Sequence, residues 1–96
     1  MARSPSDTGG LALRLYVAGS APNSVRAIAN LRALCEEHFA AATTVEIVDL
    51  LQEPERALAD GILVTPTLLK LSPPPTRRVV GNLSDASKVL LTLVGT

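Results

Sequence analysis

From Leu11 to Val17 apolar and other residues alternate, with Leu11, Leu13, Leu15 and Val17 on one side and Ala12, Arg14 and Tyr16 on the other. A period of two predicts a strand. The stretch Ala18 to Ser24 breaks the pattern and opens a helix, with Ser20 or Asn23 as the expected N-cap and Pro22 suited to the first turn. Along that helix Ile28, Leu31, Cys35 and Phe39 share one stripe, while Arg26, Asn30, Ala33 and Glu37 lie opposite. Thr44 to Asp49 is rich in β-branched residues and predicts a second strand. Pro54 suits the first position of a short helix, and Gly61 the residue just past its end. Pro66 to Leu71 and Thr76 to Val80 predict two further strands joined through Pro73, Pro74 and Pro75, which fit neither helix nor ladder. Ser84 can cap a last helix whose apolar positions Ala86, Val89, Leu90 and Leu93 recur at helical spacing.

The order is βαβαββα. A βαβ opening requires parallel strands and a right-handed crossover, and the later hairpin adds an antiparallel edge. The expected architecture is α/β and thioredoxin-like, a mixed four-stranded sheet in the order 2-1-3-4 with helices on both faces. Residues 1–10 lack apolar periodicity and read as a flexible extension, leaving residues 11–96 as a single domain.

Composition narrows the function. The 96 residues are 47% hydrophobic but only 2% aromatic, so the core must be built from Leu, Val, Ile and Ala. Nine basic residues balance nine acidic ones, which argues against nucleic acid or an acidic membrane as partner. No apolar run reaches the ~18 residues of a membrane span and no signal peptide is visible, so the expected compartment is the cytoplasm. One cysteine allows no internal disulfide, and nothing has zinc-ligand spacing.

A thioredoxin-like frame raises the question of thiol catalysis, which needs a low-pKa cysteine at the start of the first helix. Residues 18–23 hold none, and Cys35 lies well into the helix on its apolar stripe, where a buried, inert thiol is expected. His38 sits near the end of the same helix, where interaction with the helix C-terminus accounts for it. The glycines form no phosphate cradle. No metal, cofactor or self-contained active site is implied. What remains is a basic set, Arg26, Lys70, Arg77 and Arg78, which by spacing alone is a solvated charged surface.

Three separated blocks change that weighting. They are Ala18-Gly19-Ser20-Ala21-Pro22-Asn23-Ser24-Val25-Arg26, the run from Leu63 through Thr65-Pro66-Thr67 and the three prolines to Arg77-Arg78, and Gly81-Asn82-Leu83-Ser84-Asp85. Together they resemble the KaiB family of bacterial circadian clock proteins, over about Leu11 to Leu93. The resemblance implies a non-enzymatic timing regulator that binds the ATPase ring of a KaiC-like protein, with Arg26, Lys70 and Arg77 at basic positions implicated in that function. It also implies contacts with KaiA-like or SasA-like partners, the first at the edge of strand two, although Glu46 stands where cyanobacterial relatives carry lysine. It implies a cis peptide before Pro66. Two folds are implied as well: a ground state, βαββααβ and usually tetrameric, and the monomeric thioredoxin-like state. Pro66, Pro73, Pro74 and Pro75 bear on the slowness of the exchange. Thr92 and Val94 replace the glycine and aspartate common in those relatives, which favours the thioredoxin-like state. The rivals are a thioredoxin-like sensor domain of SasA type and a thiol oxidoreductase or glutathione-binding enzyme.

Overall fold

A computed structural model describes residues 11–38 and 43–94. Seven elements follow in the expected order: β1 (Leu11–Val17), α1 (Pro22–His38), β2 (Thr43–Asp49), α2 (Pro54–Ala59), β3 (Thr67–Ser72), β4 (Arg77–Val80) and α3 (Ala86–Val94). The strands form one sheet in the order β2-β1-β3-β4. β1 pairs parallel with β2, from Leu11 opposite Thr43 to Val17 opposite Asp49, and antiparallel with β3; β3 pairs antiparallel with β4. Because the chain closes with a helix over Ala86–Val94, the structure is the thioredoxin-like arrangement and not the βαββααβ alternative.

Each face of the sheet carries its own core. Leu11, Leu13, Leu15 and Val17 pack with Leu68 and Val79 under Ala27, Leu31 and Leu34 of α1 and Val89 and Leu93 of α3. On the other face Tyr16, Val48 and Leu69 meet Ala57 of α2 and Ile62 beyond it. β1 and β3 are the inner strands, which is why Thr67, Leu68, Leu69 and Lys70 are all buried.

The stripe of α1 differs from expectation. Ser24, Ala27, Leu31 and Leu34 are the buried residues, Ile28 and Cys35 lie at its margin, and Phe39 falls outside the described residues, as does the expected extension over residues 1–10. The helix also starts earlier than an Asn23 cap would allow. Pro22 is its first residue, and the first helical bond runs from the Val25 N–H to the Ala21 carbonyl. Asn30, assigned to the outer face, is half-buried and donates its amide to the Asn82 carbonyl at 2.8 Å.

α2 begins at Pro54 as expected and ends on a paired turn: the Ile62 N–H donates to the Ala57 carbonyl and the Gly61 N–H to the Leu58 carbonyl. Gly61 has φ +68°, the left-handed conformation that such a termination needs. The cap of α3 is Asp85 and not Ser84, since the Asp85 Oδ1 accepts from the Lys88 N–H at 3.1 Å. Ser84 instead gives its own N–H to the Asn82 side chain in the preceding loop. In that loop Leu83 is buried with φ +65°.

The peptide bonds before Pro66, Pro73 and Pro75 are cis, and that before Pro66 is the one the family resemblance implies. Pro66 is buried, and its carbonyl accepts from the Gly81 N–H, which ties the start of β3 to the end of β4. Thr92 is half-buried, with its hydroxyl donating to the Lys88 carbonyl one turn back, and Val94 is exposed.

Candidate functional site

The basic residues do not form one patch. Lys70 pairs with Leu13 on one side and Arg77 on the other, and alternation puts it on the same face as Leu68, beneath α1 and α3. It is 4% exposed, so its aliphatic stem belongs to the core and little of the side chain reaches the solvated surface on which it was expected. Arg77 stands directly across from it on β4, exposed, and among the described residues neither makes an ion pair. Two adjacent cations without a counter-charge repel one another, a cost that an acidic ligand would remove.

Arg78, next in sequence, points to the opposite face. Its guanidinium donates to the carbonyls of Asp60 at 3.1 Å and Gly61 at 3.2 Å, the open end of α2. A cation at a helix C-terminus is favourable and satisfies acceptors that the helix leaves unpaired. Arg78 is thus engaged within the chain. Arg26 is exposed on α1 and lies beside Asn23, whose Oδ1 also accepts from Asn82 in the loop after β4. That loop is at the far end of β4 from Arg77, about 10 Å along the strand. The structure therefore brings together Lys70 and Arg77 and sets Arg26 and Arg78 apart.

The most connected polar group was invisible in the spacing of the sequence. On the α2 face Glu46 of β2 accepts from Arg14 at 2.8 Å and pairs with Arg56 at 2.7 Å. Arg14 also reaches Asp60 at 3.0 Å. The Tyr16 hydroxyl, on a fully buried ring, lies within donating distance of the Asp60 carboxylate at 2.6 Å and the Arg56 carbonyl at 2.9 Å. The Arg56 and Arg14 guanidiniums lower the pKa of Glu46 from 4.5 to about 2. The Tyr16 hydroxyl, and after it Arg14, hold Asp60 below the ordinary carboxylate range against its partial burial. Burial raises Tyr16, and the neighbouring Asp60 adds to the rise. Glu46, read from sequence as a replaced lysine on an open edge, is thus the anchor of an internal ion network.

The first turn of α1 carries no thiol, and Cys35 is half-buried near the end of that helix, where burial pushes its pKa up. A protonated, partly covered thiol is a poor nucleophile. Exposed apolar residues gather before β3, with Leu63 at 93% exposure followed by Val64.

Comparison with known proteins agrees with this geometry. The KaiB domain model matches residues 14–94. The circadian clock oscillator protein KaiB of Prochlorococcus marinus (strain MIT 9312) is 49% identical over 81 residues, 84% of this chain and 77% of the relative. The protein of the same name from Microcystis aeruginosa is also 49% identical, over 84% of this chain and 78% of its own length. Among solved structures, the N-terminal domain of Synechococcus elongatus SasA superposes with a TM-score of 0.74 at 21% identity, covering 100% of this chain and 89% of that one. Chloroplastic thioredoxin z gives 0.72 at 17% identity, over 86% and 75% of the two chains. At such identities the structural likeness establishes the thioredoxin-like fold.

Proposed function

The chain belongs to the KaiB family, and from that premise we propose that it is a clock or timing regulator that binds the ATPase ring of a KaiC-like protein. The domain of residues 11–96 engages the ring in the thioredoxin-like state. The ring selects that state by binding it more tightly than any other, and the bound protein alters the ring's phosphorylation cycle or its signalling to a SasA-like kinase. The chain works in the cytoplasm as a binding surface and catalyses no reaction.

The observation that carries the reading is the pair Lys70 and Arg77. Their charges are adjacent and uncompensated, and the stem of Lys70 is already ordered by the core, so little side-chain freedom remains to be lost on docking. Such a pair suits a carboxylate on the partner's surface. Arg26 adds long-range attraction, while Arg78 acts by holding the hairpin against α2.

The test is association of the full chain with a KaiC-like hexamer across a salt series. Arg77→Glu slows association at low salt, and the deficit shrinks as salt rises. Lys70→Met keeps the apolar stem and loses the charge, so it weakens binding without unfolding the chain. Association that is the same for both variants and at every salt concentration refutes the reading. Turnover in an insulin-reduction or glutathione-conjugation assay refutes its non-catalytic part.

A further inference from the structure

Arg77 and Arg78 are consecutive residues of β4, so their side chains leave opposite faces of the sheet. One acidic group on a partner cannot meet both. Arg77 stands across from Lys70, exposed and without a counter-charge among the described residues, whereas Arg78 is committed to the chain itself. Its guanidinium donates from Nη1 to the Gly61 carbonyl at 3.2 Å and from Nη2 to the Asp60 carbonyl at 3.1 Å.

Those two acceptors stand on a fixed base. The left-handed Gly61 ends α2, with its own N–H and that of Ile62 closing on the Leu58 and Ala57 carbonyls. The Asp60 carboxylate lies 2.6 Å from the Tyr16 hydroxyl and 3.0 Å from Arg14 Nη1, both on the inner strand β1. The end of α2 is thereby tied to the middle of the sheet, and Arg78 ties β4 to the end of α2.

β4 needs such a hold. It is four residues long, lies at the edge of the sheet beside β3, and emerges from the exposed residues Pro74, Pro75 and Thr76. Its far end is anchored by buried Val79 and by the Gly81 N–H on the Pro66 carbonyl. The end that carries Arg77 has the Arg78 fork. A change of about 15° in the roll of the strand, within the spread of twist between neighbouring strands, carries an arginine head group about 6 Å from the strand axis through about 1.6 Å. That exceeds the roughly 0.5 Å over which a hydrogen bond keeps its length. The core fixes Lys70, which is 4% exposed, but it does not fix Arg77.

We propose that Arg78 is a positioning residue for docking: it acts through Arg77, setting the roll of β4 so that Arg77 and Lys70 present one site to an acidic group of the partner, and it does not touch the partner itself. This role rests on the docking of the ring by Lys70 and Arg77. It separates two neighbouring arginines that the sequence alone places in one basic patch. Arg77 supplies the contact, and Arg78 supplies its aim.

The test is the association and dissociation rates of the full chain with a KaiC-like hexamer, for the parent, Arg78→Lys, Arg77→Ala and the double variant. Lysine keeps the charge and loses the planar fork that reaches two carbonyls at once. The expected Arg78→Lys protein associates at the parent's rate, with the parent's salt dependence, and dissociates about tenfold faster. In the Arg77→Ala background the same substitution changes dissociation by less than about twofold, because no guanidinium remains to be misplaced. Unchanged dissociation in Arg78→Lys overturns the proposal. So does an equal change in both backgrounds, which would mean that Arg78 meets the partner directly or acts through stability alone. A deficit confined to association overturns it as well, since that is the mark of charge and not of aim. Arg77→Ala without effect on either rate refutes the docking role of the pair, and the positioning role falls with it.

Discussion

Glu46→Gln removes the charge that two guanidiniums share, and its cost can be worked from the site. Lowering the Glu46 pKa from 4.5 to about 2 sets an upper bound of about 3 kcal/mol on the stability tied to the ionised carboxylate. The side chain is 43% exposed, so solvent screens much of that interaction. After that discount, and because glutamine still accepts one hydrogen bond, the expected loss is about 1 kcal/mol at pH 7. In equilibrium urea unfolding this is a midpoint lower by about 1 M. The pH dependence has a definite sign. A carboxylate whose pKa is depressed by folding contributes fully above its unfolded value and loses that contribution as pH falls through its folded value. The parent therefore loses stability faster than Glu46→Gln between pH 4.5 and about pH 2, and the two curves converge at the acid end. Asp60, also depressed, acts in the same direction in both proteins. A Glu46→Gln protein within about 0.3 kcal/mol of the parent at pH 7, or one equally sensitive to acid, would show that the network contributes nothing.

Three further outcomes test individual contacts. Tyr16→Phe deletes the donor to the Asp60 carboxylate from a fully buried ring and should cost about 2 kcal/mol in thermal or urea unfolding; a loss below about 0.5 kcal/mol would mean the hydroxyl is dispensable. Gly61→Ala should cost about 1 kcal/mol purely from its left-handed backbone, since the nearest atom to an added Cβ is Arg78 Nη2 at 4.0 Å, and an unchanged melting curve would contradict it. Asp85→Ala should lower stability by about 1 kcal/mol and speed amide exchange in the first turn of α3, with Ser84→Ala nearly silent; the reverse ranking would return the cap to Ser84.

Much of the frame was legible in the chain, and what was missed has identifiable physics. Alternation in β1, Pro54 and Gly61 around α2, and the proline-bounded hairpin are local signals, and each falls where it was expected. Alternation also misled. Leu11, Leu13, Leu15 and Val17 mark one core so clearly that Tyr16 reads as the outer face, yet β1 is an inner strand and Tyr16 lies under α2 in a second core. The same burial on both sides took most of Lys70 out of solvent. On α1 the larger Ile28 drew the stripe away from Ala27, because a small residue gives little hydropathic signal even where close packing against the sheet makes it central, and the stripe continued from Ile28 runs through Cys35 and so passes Leu34 by. At α3 two adjacent cap-competent residues could not be ranked without the loop that commits Ser84's N–H to Asn82. The Arg14–Glu46–Arg56–Asp60–Tyr16 network joins residues separated by 32 to 46 positions in several of its bonds. No local pattern encodes it; only the register of β1 against β2 puts Arg14 opposite Glu46. Lys70 and Arg77 could be paired from a hairpin guess, but the diversion of Arg78 to the end of α2 could not.

Asp60 works with both of its ends. Its carbonyl holds Arg78 of β4 while its carboxylate holds Arg14 of β1, which in turn grips Glu46 of β2. The outermost strands never touch, yet a diagonal strut of side chains runs from one to the other across the α2 side of the sheet. A load applied at the hairpin is therefore borne partly at the far margin, and a single residue at the end of a six-residue helix is the rivet that fastens the panel together.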